Sequence, residues 1–151
     1  MPSALLSRAC EYGLRACLYL SSSSRDGYVS IREISEKLDI SAAFLTKVLQ
    51  QLTAAGIMAS SRGPAGGVAF TRPLSQITLK DIVVAIDGGQ MFTECVLGLP
   101  GCGEQKPCPF HARWAVERER LEKIFRQTSL DDMAGTMETF DTRLRPLPRT
   151  D

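Results

Sequence analysis

Apolar residues recur at helical spacing along most of the chain and give way to strand-like segments in one place. Leu5, Ala9, Tyr12, Ala16 and Tyr19 share a side, widened by Leu6, Leu14, Leu18 and Leu20, which predicts a first helix over about 4–21. The serines at 21–24 and Asp26-Gly27 end it. Ser30-Ile31-Arg32-Glu33 has the form of a capping box opening a short helix with Ile31, Ile34 and Leu38 inward. Ser41 is placed to cap a third helix, whose inner face is Leu45, Val48, Leu49 and Leu52 at i, i+3, i+4, i+7, and Gly56 stops it. Two helices about three residues apart form a helix-turn-helix pattern. Residues 57–62, 63–67 and 68–72 then read as strand, Gly/Pro turn and strand. A helix-turn-helix followed directly by a hairpin is the order of a winged helix.

Thr78-Leu79-Lys80-Asp81 opens a further helix with Leu79, Ile82, Val83 and Ile86 as its stripe and Gly88-Gly89 as its stop. Residues 90–111, broken by glycines and prolines, read as irregular. A long helix over about 112–127 follows, with Trp114, Leu121, Ile124 and Phe125 on an apolar side and Glu119–Lys123 and Glu122–Arg126 as i,i+4 pairs. Ser129-x-x-Asp132 caps a last short helix. The expected fold is mainly α: a winged helix-turn-helix over 1–88, a cysteine-rich loop over 89–111, a long helix and C-terminal helix over 112–137, and a disordered tail over 138–151.

The 151 residues hold no apolar run near the ~18 that a membrane span needs. The start lacks the basic segment and apolar core of a signal peptide. The expectation is a cytoplasmic protein with no membrane partner. The net charge of +1 conceals an asymmetry: residues 1–80 carry nine Lys/Arg against five Asp/Glu, and residues 81–151 nine against twelve. No acidic residue stands between 40 and 80, whereas Lys47, Arg62, Arg72 and Lys80 do, a balance that suits a polyanion such as double-stranded DNA.

In a helix-turn-helix the first residues of the second helix face base edges in the major groove. Here these are Ser41, Ala42, Ala43, Thr46 and Lys47. Hydroxyls can bond either kind of base edge and alanine methyls can touch thymine methyls, so direct readout is modest and DNA shape supplies much of the specificity. Capping alone would also explain Ser41, and the two roles are compatible. Arg62 begins the hairpin turn, where Gly63, Pro64, Gly66 and Gly67 allow close backbone approach and an arginine can enter a narrow minor groove.

Cys95, Cys102 and Cys108 stand as C-x6-C-x5-C in the Gly/Pro-rich loop, and His111, the single histidine, follows at C-x2-H. Thiolates select zinc or iron–sulfur centres. Structural zinc sites usually hold tight C-x2-4-C pairs, absent from this loop, so the spacing favours an iron–sulfur cluster over zinc or a metal-free thiol switch. Three cysteines leave one ligand to find: His111, or Glu11 near the N-terminus, contributed across a dimer. His111 favours a two-iron cluster, which is slightly preferred, and Glu11 leaves room for four irons. Cys17 reads as core packing, and Cys10 is likewise not chosen as a ligand. The chain lacks a second histidine, a phosphate-binding Gly loop and an evident acid–base pair, which argues against an enzyme.

These residues resemble a known family, the bacterial winged-helix regulators that include the iron–sulfur cluster regulator and the nitric-oxide-sensitive repressor. The resemblance covers about residues 4–133. It rests on Glu11-Tyr12-Gly13-Leu14-Arg15-Ala16, on Ile40-Ser41-Ala42-Ala43-Phe44-Leu45, on Arg62-Gly63-Pro64-Ala65-Gly66-Gly67-Val68, on Ile77-Thr78-Leu79-Lys80-Asp81-Ile82 and on the three cysteines. It implies a homodimer paired through the long helix, a palindromic operator, and DNA binding that differs with cluster status, redox state or nitric oxide. A histidine after the third cysteine is similar to the cluster-regulator branch, whereas Glu11 is similar in placement to the carboxylate ligand of the nitric-oxide branch. Thr46 departs from the acidic residue of the cluster regulator, so its operator preference does not carry over.

Overall fold

Local caps set where most helices begin. The computed structural model describes residues 5–23, 26–101, 103 and 105–139, so Cys102 and the expected tail from residue 140 lie outside the described residues. The first helix, α1, runs Arg8–Ser22, starting later than its apolar pattern predicts because the Ser7 side chain caps it by accepting from the Cys10 N–H. Ser7 also donates from its N–H and hydroxyl to the Asp87 carboxylate, pinning this start to a later helix. Helices α2 (Ile31–Leu38) and α3 (Ala42–Ala54) begin at Ser30 and Ser41, each accepting from the N–H three residues on. Asp39, in the left-handed region at φ 56°, makes the turn between them. Strands β1 (Met58–Ser61) and β2 (Gly67–Phe70) pair antiparallel with Met58 opposite Phe70 and Ser61 opposite Gly67. Val29 adds an antiparallel bridge to Val68, with hydrogen bonds of 3.0 and 2.9 Å.

A 3-10 turn (Leu74–Gln76) leads to α4 (Leu79–Asp87), where Thr78 and Asp81 complete a reciprocal capping box. The region expected to be irregular contains a short helix, α5 (Gln90–Thr93), closed by the Glu94 N–H donating to the Gln90 carbonyl. Then come α6 (His111–Gln127) and α7 (Leu130–Thr139), the latter started by Ser129 and Asp132 bonding reciprocally.

The main core joins Ala16, Cys17 and Leu20 of α1 to Ile34 and Leu38, to Leu45, Leu49 and Leu52, and to Met58 and Val68 of the hairpin. Each such Leu or Ile contributes about 1.5–3 kcal/mol by leaving water. The buried side of α1 holds Ala16, Leu18 and Leu20, as expected, together with the small residues Cys10, Gly13 and Cys17, whereas the expected Tyr12 and Tyr19 are half-buried. A Cβ on Gly13 would strike Ile86 of α4 and crowd Val48 of α3, so glycine lets the three helices close up. Leu130 of α7 is fully buried in this same core, and its N–H donates to the Ile77 carbonyl at 2.9 Å.

A second cluster of Cys10, Val83 and Phe92 receives Leu121 and Phe125 from α6, with the Phe92 and Phe125 rings 5.6 Å apart, edge to face. Ile124 does not share that side; it is 60% exposed. Glu122 is held by Lys80 of α4 at 2.6 Å, where the sequence suggested Arg126 one turn along.

Candidate nucleic-acid interface and thiol site

The start of α3 is presented outward. Ser41, Ala42, Ala43 and Lys47 are exposed and Thr46 is half-buried. The Ser41 hydroxyl accepts from the Phe44 N–H at 3.5 Å, a long bond that leaves the hydroxyl available. The Thr46 hydroxyl donates to the Ala42 carbonyl at 2.7 Å, so toward a partner it offers lone pairs and a methyl group. Sequence reasoning assigned no role to Phe44. It is 37% exposed on the outer side of α3, edge-on to Tyr12 at 5.5 Å, with the Arg15 guanidinium 5.5 Å over the Tyr12 ring. The available signal was that Phe44 falls outside the buried 45, 48, 49, 52 set.

Arg62, Gly63, Pro64 and Ala65 form the exposed tip of the hairpin, closed by the Gly66 N–H donating to the Gly63 carbonyl at 2.9 Å. Gly63 has φ 98° with open space around it. Gly66 and Gly67 have an internal reason to be glycine: a Cβ on Gly66 would collide with the Ser61 carbonyl, and one on Gly67 with the Val29 carbonyl. The hairpin that carries this tip is tied to the segment before α2 through the Val29–Val68 bridge.

The cysteine loop hangs between α5 and α6. Cys95 follows α5 directly and is buried, and the half-buried Cys108 brings its Sγ to 3.5 Å from the Cys95 Sγ. The His111 N–H donates to the Cys108 carbonyl at 3.0 Å, so the residue that carries the second thiol is tied to the start of α6. A cleft of about 540 Å³ beside Cys95 is lined by Thr93, Glu94, Gly98, Leu99, Pro100 and Gly101. Two thiolates on one tetrahedral metal with bonds of ~2.3 Å lie ~3.8 Å apart, so the donor chemistry and spacing fit a shared thiophilic centre. Among the described residues no three of His, Cys, Asp and Glu converge as a ligand group. Thus two of the predicted sulfurs meet, Cys102 lies outside the described residues, and neither His111 nor Glu11 makes a third donor within one chain. Glu11 is half-buried on α1. The other two cysteines are wholly buried: burial, with Asp87 nearby, pushes the Cys10 thiol up to about 12, and burial raises Cys17 too.

The family model for Rrf2, described as an iron-dependent transcriptional regulator, matches residues 6–136. The transcriptional regulator IscR of Xenorhabdus nematophila is 30% identical over 131 residues, 87% of this chain and 79% of its own. IscR of Photorhabdus laumondii is 29% identical over the same shares. Among solved structures, the global cysteine regulator CymR of B. subtilis aligns with TM-score 0.74 at 24% identity, over 90% of this chain and 98% of its own. IscR of T. potens aligns at 0.70 and 24%, over 89% and 88%. At that identity these structures speak to the fold. The chain accordingly belongs to the Rrf2 family and is a DNA-binding transcriptional regulator on a winged helix-turn-helix, rather than an enzyme.

Proposed function

We propose that operator binding by this regulator is controlled by an iron–sulfur cluster held on Cys95, Cys102 and Cys108, with His111 or Glu11 as fourth ligand. The observation that carries the reading is the 3.5 Å approach of the Cys95 and Cys108 sulfurs on a loop anchored to α6. When bound, the cluster supplies a centre whose charge and integrity respond to oxidants or nitric oxide. The chain's own residues do the rest. Ligation orders the 95–108 loop, and the loop bears on α6, the helix through which two copies pair. Movement there changes how two recognition helices match half-sites about one DNA turn, ~34 Å, apart on a palindromic operator. A tenfold change in affinity needs only ~1.4 kcal/mol of coupling. Ser41, Ala42, Ala43, Thr46 and Lys47 face the major groove, while Arg62, on the turn formed by Gly63, Pro64, Gly66 and Gly67, enters the minor groove.

Anaerobic reconstitution followed by Mössbauer spectroscopy of the wild type, His111→Ala and Glu11→Ala tests the cofactor. The expected result is a two-iron spectrum perturbed by His111→Ala. A four-iron spectrum perturbed by Glu11→Ala would move the ligand assignment, and a colourless, iron-free protein would overturn the reading. The same sulfur approach supports a second reading, a thiol-based switch, because a disulfide at ~2.05 Å lies a small movement away. Metal analysis separates the cluster reading from a zinc-stabilised or cofactor-free repressor, and DNA binding compared between the oxidised and the reduced metal-free protein separates the thiol switch from a cofactor-free one.

A further inference from the structure

Trp114, Arg118, Leu121 and Phe125 lie along one side of α6. Leu121 and Phe125 enter the second core cluster. Trp114 and Arg118 instead donate to backbone. The Trp114 indole N–H bonds the Glu94 carbonyl at 3.0 Å, and an Arg118 Nη1 bonds the Thr93 and Glu94 carbonyls at 2.9 and 3.0 Å. These carbonyls end α5 and immediately precede Cys95. Carbonyls at a helix end have no intrahelical donor, and a four-residue helix does not persist alone; Phe92 anchors α5 against Phe125, and the donors from α6 fix the carbonyls at its end. Those from Arg118 are charge-assisted and therefore strong. On the other flank Cys108 is tied to α6 through the His111 N–H. Both thiols are thus suspended from a single helix.

We propose that Trp114 and Arg118 are positioning residues that preset the separation of the Cys95 and Cys108 sulfurs for a thiophilic metal centre and pass its occupancy to α6. The inference rests on the thiol-site reading above. Because coupling is reciprocal, whatever α6 does to the thiols, ligation of the thiols does to α6.

The test uses reduced, metal-free, full-length protein titrated with Cd²⁺ and followed by thiolate–metal absorbance and by the emission of Trp114, the single tryptophan of the chain. Wild type is expected to bind Cd²⁺ with a saturable change in Trp114 emission. Arg118→Ala and Trp114→Phe leave the residues before Cys95 to be ordered on binding and lower Cd²⁺ affinity about tenfold, one residue's worth of backbone ordering. Arg118→Lys restores part of that loss, since an ammonium can reach one of the two carbonyls. Wild-type Cd²⁺ affinity in Arg118→Ala and Trp114→Phe, or Trp114 emission indifferent to bound Cd²⁺, overturns the proposal while leaving the thiol site intact. Cd²⁺ affinity unchanged by Cys95→Ser overturns the thiol-site reading itself. Should Arg118→Ala fail to fold, as read by far-ultraviolet circular dichroism, Trp114→Phe and Arg118→Lys decide the matter.

Discussion

At Gly67 the hairpin backbone passes so close to Val29 that no side chain fits, and its φ of 148° lies where glycine is favoured. Gly67→Ala must push β2 off the Val29 bridge, so it is expected to cost about 2 kcal/mol or more in chemical denaturation. A loss under about 0.5 kcal/mol would contradict the packing described. Arg62, five residues earlier, is exposed, so Arg62→Ala should leave stability unchanged while weakening binding to specific DNA; unchanged DNA affinity would argue against a wing contact. The cysteines divide by the same kind of reasoning. Thiolate is the nucleophile, and the buried, raised Cys10 and Cys17 hold little of it at neutral pH. Iodoacetamide on the reduced, folded protein is expected to label Cys108 well before Cys17, a pattern readable by peptide mass mapping. Native-state labelling of Cys17 at the rate of Cys108 would contradict it.

Among the elements, the helix starts at Ser30, Ser41, Thr78 and Ser129 were legible because a cap is decided within four residues. The burial of Leu45, Val48, Leu49 and Leu52 was legible for a similar reason: a period needs no knowledge of the partner. What escaped the sequence depends on distant contacts. Glu122 has both Arg126 and Lys80 in reach, and only packing of α6 on α4 selects Lys80. The backbone bonds of Trp114 and Arg118 span twenty or more residues and carry no local pattern. Lys80, by its hydrogen bond and its charge, holds the Glu122 carboxyl below its ordinary range. A carboxyl depressed on folding contributes stability above its unfolded pKa, and that stability is lost as pH falls through the folded value. Glu122→Gln should therefore lower the melting temperature slightly at neutral pH, with the gap to wild type closing as the buffer is taken below the usual carboxylate range. A gap independent of pH would show that Glu122 acts by packing alone.

For the molecule as a whole, α6 has two unlike sides. One is spent on its own chain through Trp114, Arg118, Leu121 and Phe125. The other leaves Val116 and Ile124 48% and 60% exposed, with Phe110 at the helix start 44% exposed. A second copy paired there would cover them, and Ile124→Glu is expected to shift sedimentation from dimer to monomer without unfolding the winged helix. A variant that still sediments as a dimer would place the pairing elsewhere.

The fold was readable in outline from one chain, because winged-helix order and helical periods are written along the sequence. Of the thiol site, the meeting of two sulfurs is what the sequence spacing and the structure have in common. Cys95 and Cys108 meet within one chain because the contacts of α5 and α6 bring them together, and such long-range contacts leave no trace in a local period. The decisive measurement is anaerobic fluorescence anisotropy on a duplex selected from random sequence by the protein itself. Cluster-loaded and metal-stripped forms are compared at one fixed salt concentration, since phosphate contacts make affinity salt-dependent. The prediction is about a tenfold or greater difference in affinity, abolished by Cys108→Ala; equal affinities for the two forms would contradict cluster control and leave a constitutive DNA-binding protein.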